Sequence, residues 1–211
     1  MESSFQGDPV DRGVGQLFAL VSEALASATH ALLHGEIAVG QAVVDGDRSI
    51  DNLTAEVERT VWDQIDAGRP SGDHLRRLIA ILLILPELER SADLAEHIAQ
   101  RAVTNLGVEM SPLSRGIVQR MTEVALEMWK TAADAFGARI PAPIALEEAD
   151  EEIDILHERL TGEVARGAMP TAVAAQVTLL ARFYERLGDH AVNLASRIAN
   201  LPPQVPWDER T

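Results

Sequence analysis

Apolar residues recur every three to four positions along most of this chain, and six stretches hold that pattern long enough to predict amphipathic helices. The first, roughly 10–33, sets Leu17, Leu20, Val21, Ala24, Leu25, Ala28 and Leu32 at helical spacing, and Gly35 ends it. The second runs from about Glu36 to Ala67 on a stripe of Val39, Val43, Ile50, Leu53, Val57, Val61 and Ile65. Gly68-Arg69-Pro70-Ser71-Gly72 closes it with turn chemistry. A third starts near Asp73, a residue suited to an N-cap, and reaches about Asn105, with Gly107 as its predicted stop. Ser111-Pro112 opens the fourth, which runs to about Phe136 and Gly137. Proline suits that first position, where the amide has no intrahelical acceptor. Pro141 and Pro143 open the fifth, which ends near Arg166-Gly167. Met169-Pro170-Thr171 leads into the sixth, which stops near Asn200 before Pro202-Pro203.

Three helices followed by three helices, joined by short connections, predict antiparallel neighbours. The expected fold is all-α: two tandem antiparallel three-helix bundles, 1–107 and 108–211, related by internal duplication. The duplication is visible as text. Glu89-Arg90-Ser91-Ala92-Asp93-Leu94-Ala95 returns as Glu185-Arg186-Leu187-Gly188-Asp189-His190-Ala191, 96 residues later. Asp47-Arg48-Ser49-Ile50-Asp51 returns as Asp150-Glu151-Glu152-Ile153-Asp154, 103 residues later. The difference of seven falls between the second and third helices, so the first repeat has the longer second helix and turn.

Composition narrows the picture. The chain of 211 residues is 46% hydrophobic but only 4% aromatic, rich in Ala and Leu, and lacks the β-branched runs of a sheet. It has no cysteine, which removes thiolate ligands and cysteine nucleophiles and fits a reducing cytoplasm. A net charge of −15 and a single lysine, Lys130, argue against nucleic acid as a partner and against direct docking on anionic lipid. The run Leu78–Leu85 is the most apolar, but Arg76-Arg77 and Pro86-Glu87 bound it well short of a membrane span. The N-terminus carries no signal-peptide pattern, so a soluble protein that meets membranes only through a partner is expected.

Each repeat therefore holds two acidic-x-x-x-Asp signatures, and residues four apart share a helix face. Asp47, Asp51, Glu89 and Asp93 would face one another across the second and third helices of the first repeat. Asp150, Asp154, Glu185 and Asp189 would do so in the second. Four carboxylates in one small volume repel unless a cation neutralises them, and hard cations need several oxygen ligands. The plainer reading is acids on solvated faces, with Arg90 and Arg186 pairing nearby carboxylates. No Glu stands three residues before any of the six histidines, so the Glu-x-x-His signature of di-iron bundles is missing. His190 reads as a packing or hydrogen-bonding residue, and His30 and His34 as a surface pair. No phosphate loop, nucleophile elbow or His-Glu-x-x-His occurs, so no enzymatic activity is expected.

The string Phe183-Tyr184-Glu185-Arg186-Leu187-Gly188-Asp189-His190-Ala191-Val192-Asn193-Leu194-Ala195 resembles the PhoU family, bacterial accessory proteins of phosphate transport. The first repeat departs from it, with Ser91-Ala92 for the Leu-Gly pair, Leu94 for the histidine and Pro86 where the second has Arg182. The resemblance implies a negative regulator of phosphate uptake and starvation signalling. It further implies an adaptor between the transporter ATPase and a PhoR-type sensor histidine kinase at the inner membrane face, with a homodimer as the assembly. By the same resemblance the eight carboxylates Asp47, Asp51, Glu89, Asp93, Asp150, Asp154, Glu185 and Asp189 would hold divalent or trivalent metal ions: iron, manganese, magnesium or zinc. A carboxylate-bridged metalloenzyme and a metal-free helical adaptor are the alternatives.

Overall fold

The computed structural model describes residues 8–68, 70–140, 143–167 and 169–202. Seven helices follow one another: α1 (Pro9–His34), α2 (Ile37–Gly68), α3 (Gly72–Val103), the single turn α4 (Leu106–Glu109), α5 (Pro112–Ala138), α6 (Pro143–Ala165) and α7 (Thr171–Ala199). Helices α1, α2 and α3 pack on one another, as do α5, α6 and α7, so the two three-helix bundles form as the periodicity predicts. The halves are joined by α1 against α5 and α3 against α7, and one hydrophobic cluster runs through both.

Local chemistry explains the helix ends. Asp8 caps α1 by accepting from the Val10 amide at 2.8 Å, ahead of Pro9 at the first position. Ser111 and Pro112 repeat that arrangement at α5, the Ser114 amide donating to Ser111 Oγ at 3.0 Å. Gly35 closes α1 with a left-handed φ of 71°. Pro143 opens α6, whereas Pro141 lies outside the described residues. The long second helix of the first repeat is present: α2 has 32 residues against 23 in α6.

Two expected boundaries are corrected. Ser71, not Asp73, takes the N-cap position of α3, and Asp73 sits inside the helix paired with Arg76. Gly107 is not the stop of α3. That helix ends at Val103, Asn105 turns the chain at φ 63°, and Gly107 lies within α4. A β-carbon on Gly107 would fall 1.7 Å from the Leu32 carbonyl oxygen, so glycine is required by the approach of two backbones. Pro86 neither ends nor interrupts α3, because packing on three neighbouring helices outweighs one lost amide bond.

A second repeated string emerges once α1 is set beside α5. Pro9-x-x-Arg12-Gly13-x-x-Gln16 becomes Pro112-x-x-Arg115-Gly116-x-x-Gln119, the same 103 residues that separate the Asp blocks. The central seam between α1 and α5 holds Phe18 against Trp129 and Phe136, with ring centroids 6.0 and 5.8 Å apart. Tyr184 of α7, fully buried, joins Thr29 of α1 at 2.5 Å and accepts from Thr122 of α5 at 3.0 Å. By length and composition α1 is apolar enough to cross a membrane. Its inward stripe of Val10, Val14, Leu17, Phe18, Val21, Leu25, Ala28 and Leu32 instead lies in the centre of the bundle at 0–1% exposure.

Candidate metal centres

The helix pairs α2/α3 and α6/α7 carry the acidic signatures in the order the sequence predicts. Asp47 and Asp51 stand one turn apart on α2, opposite Glu89 and Asp93 on α3. Asp47 is half-buried. Its carboxyl is pushed up to about 6, first by burial and then by the charges of Asp51, Glu96, Asp93 and Glu89. Glu89 is also raised, by burial, then Asp93 and Asp51, with Arg90 acting against them. The first repeat thus brings its four predicted carboxylates into one electrostatic neighbourhood and adds Glu96. Sequence reasoning missed Glu96; its signal was the stripe Glu89, Asp93, Glu96 on one face of α3.

In the second repeat Asp150 is pushed up to about 6 by burial and then by Asp154, Asp189 and Glu185. Glu185 is raised chiefly by burial, while Arg182 and His157 pull it down. Arg182 forms an ion pair with Glu185, a contact the first repeat forgoes because Pro86 occupies the matching place. Gly188 seats Asp150: a β-carbon there would lie 2.4 Å from Asp150 Oδ1. The first repeat has Ala92 at that position.

Two carboxylate oxygens are buried without a hydrogen-bond partner, Asp47 Oδ1 in the first site and Glu185 Oε2 in the second. Orphaned anionic oxygens, like charges held together and an all-oxygen donor set are chemistry that a hard cation fits. Among the described residues no three Asp, Glu or His side chains converge tightly enough to grip one ion.

The basic residues fall elsewhere. Arg90 and Arg186 are exposed and make no ion pair with a described residue. His190 is buried against the first repeat: Ser91 Oγ lies 2.9 Å from its Nδ1, and burial lowers its pKa. Glu87, buried on α3, holds Arg197 of α7 at 3.1 Å. The duplication places Phe183 and Arg101 at the matching positions, where the guanidinium lies 4.8 Å from the ring centroid instead. His97 stacks on the same Phe183 at 5.4 Å, and the exposed His30 and His34 stack at 4.2 Å.

Fold and site together define a class: a duplicated three-helix bundle with a pair of opposed acidic signatures in each copy. The PhoU domain family matches residues 14–102 and again 118–198. A phosphate-specific transport system accessory protein PhoU homolog of Zymomonas mobilis is 32% identical over 95% of this chain and 90% of its own length. The counterpart in Rhizobium meliloti is 29% identical over 89% of this chain and 81% of its own. The crystal structure of PhoU from Pseudomonas aeruginosa superposes with a TM-score of 0.84 at 23% identity, covering 91% of this chain and 94% of that one, a likeness of fold. This chain belongs to the PhoU family.

Proposed function

We propose that this protein is a regulatory adaptor of phosphate transport that binds metal ions through its two carboxylate clusters. It restrains phosphate uptake and starvation signalling by linking the transporter ATPase to a PhoR-type sensor histidine kinase, and it catalyses no reaction of its own. It works in the cytoplasm, reaching the inner membrane face through those partners, and as a homodimer. Residues 1–107 and 108–211 act as its two PhoU-like units. Metal ions (iron, manganese, magnesium or zinc) are held by Asp47, Asp51, Glu89 and Asp93 in one cluster and by Asp150, Asp154, Glu185 and Asp189 in the other. When bound, the cation supplies the positive charge that lets both helices of each pair keep their carboxylates ionised.

The observation that carries this reading is the buried carboxylate oxygen without a hydrogen-bond partner in each cluster, Asp47 Oδ1 in one and Glu185 Oε2 in the other. Metal analysis of the purified protein beside Glu185→Ala and Asp189→Ala tests the sites, and equal metal content in all three overturns them. A pull-down with the ATPase and the kinase, with and without metal, tests the adaptor role. Binding to neither sinks it. A metal-free adaptor is favoured only by the lack of a converged three-ligand set in the present conformation.

A further inference from the structure

The last turn of α1 carries donors of a kind that the acidic clusters lack. His30 and His34 stand one turn apart, both exposed, with their rings stacked at 4.2 Å and 25° between the planes. Glu36, in the turn before α2, is also exposed and brings its Oε1 to 3.3 Å from His30 Nε2. That separation is longer than a charge-assisted hydrogen bond, at about 2.7–2.9 Å, and close to the roughly 3.4 Å edge that joins nitrogen and oxygen ligands of a tetrahedral zinc ion.

The second imidazole is prepared in another way. His34 Nδ1 lies 2.9 Å from the His30 carbonyl oxygen, which can only accept, so in the neutral ring Nδ1 carries the proton and Nε2 keeps its lone pair. A ring nitrogen tied to a backbone carbonyl is the support that metal-bound histidines use. The place also favours positive charge, because the carbonyl end of a helix carries the negative pole of its dipole. Arg115 reaches the same end of α1 but donates to the Leu33 and Gly107 carbonyl oxygens. The duplication supplies a contrast: 103 residues on, the second repeat has Ala133, Gly137 and Arg139 at the three positions, so none of these donors is a relic of the shared pattern.

We propose that His30, His34 and Glu36 form a binding site for a borderline divalent cation, zinc above all, that clips the end of α1 to the turn leading into α2. Two imidazoles and one carboxylate suit zinc better than magnesium or calcium. The described donors form no closed three-ligand set; His30 and Glu36 supply one ready edge, the exposed His34 closes the set on binding, and water takes the fourth position. This site goes beyond the function proposed above and does not rest on it.

The test titrates Zn2+, and separately Mg2+, into the full chain and follows the imidazole signals by NMR. Zn2+ should move the His30 and His34 signals, and Mg2+ should leave them in place. His30→Ala, His34→Ala and Glu36→Gln, all at exposed positions and checked for helicity by circular dichroism, should each weaken zinc binding here by about tenfold. In a chain carrying Asp47→Asn and Asp150→Asn, which weaken the carboxylate clusters, the zinc response of His30 and His34 should persist. Its loss there overturns the proposal. So do histidine signals that Zn2+ leaves unmoved or that Mg2+ moves equally, and so does a zinc affinity that His34→Ala leaves unchanged. If the carboxylate clusters take up no metal while His30 and His34 respond to zinc, the cluster reading falls and this site stands.

Discussion

Gly188→Ala separates the cost of holding the second carboxylate cluster from the stability of the helix that carries it. The new β-carbon would lie 2.4 Å from Asp150 Oδ1 but 3.7 Å from Ile153 Cγ1, so only the tip of a flexible side chain must move. Replacing glycine inside a helix is worth about 0.8–1.0 kcal/mol in propensity. Turning Asp150 out toward water removes a further penalty. Lifting a carboxyl from 3.8 to about 6 corresponds to about 3 kcal/mol against its charged form. Solvent screening at a half-buried site cuts that to about 1–2 kcal/mol. Because the folded pKa is the raised one, the native state binds more protons between about pH 4 and 6, and wild-type stability falls as pH rises through that window. The variant escapes much of that fall. In chelator-treated protein it should be about 1 kcal/mol more stable than wild type at pH 4 and about 2 at pH 7.5, a gain of several degrees in Tm. Urea melts at both pH values, followed by circular dichroism, measure this. With added metal the order should reverse, since Asp150 no longer sits where its partners can share a cation. A metal-free variant less stable than wild type at pH 7.5, or a gain independent of pH, refutes the reasoning.

Three further outcomes follow from burial. Tyr184 is the single tyrosine and its hydroxyl is pushed up to about 12 by burial, so tyrosinate absorbance at alkaline pH should appear only together with unfolding. Since the unfolded phenol ionises near 10, stability should drop between about pH 10 and 12; tyrosinate absorbance near pH 10 with helicity intact contradicts this. Arg197→Ala strips Glu87 of its cation and should cost about 3 kcal/mol in urea unfolding, whereas Glu87→Leu, which removes the buried charge, should cost less; the opposite order would assign the pair a different role. Gly107→Ala should destabilise by at least about 3 kcal/mol because backbone blocks the β-carbon, while Gly116→Ala should stabilise by about 0.5–1 kcal/mol; similar denaturation midpoints would overturn that contrast.

The helices were legible because burial of one face imposes a 3.6-residue period, and Gly35, Ser111 and Pro112 act through neighbours in the chain. The opposed acidic signatures were legible for the same reason: spacing of four fixes a face, and short connections fix antiparallel partners. Misreadings arose where a distant element decides. Gly107 resembles a helix stop until Leu32 arrives from α1. Glu87 looks like a solvated acid until α7 brings Arg197 to it.

By itself, then, the sequence determined the six long helices, their duplication and the face on which each acidic pair stands, because all three depend on separations of a few residues. Only the tertiary structure decided how the halves join, α1 on α5 and α3 on α7, and which copies of a repeated motif became inequivalent. Gly13 is sealed and Gly116 open; Glu87 holds Arg197 where Phe183 holds Arg101. Those differences are set by contacts between residues far apart in the chain, and two copies with similar local sequence carry no record of them.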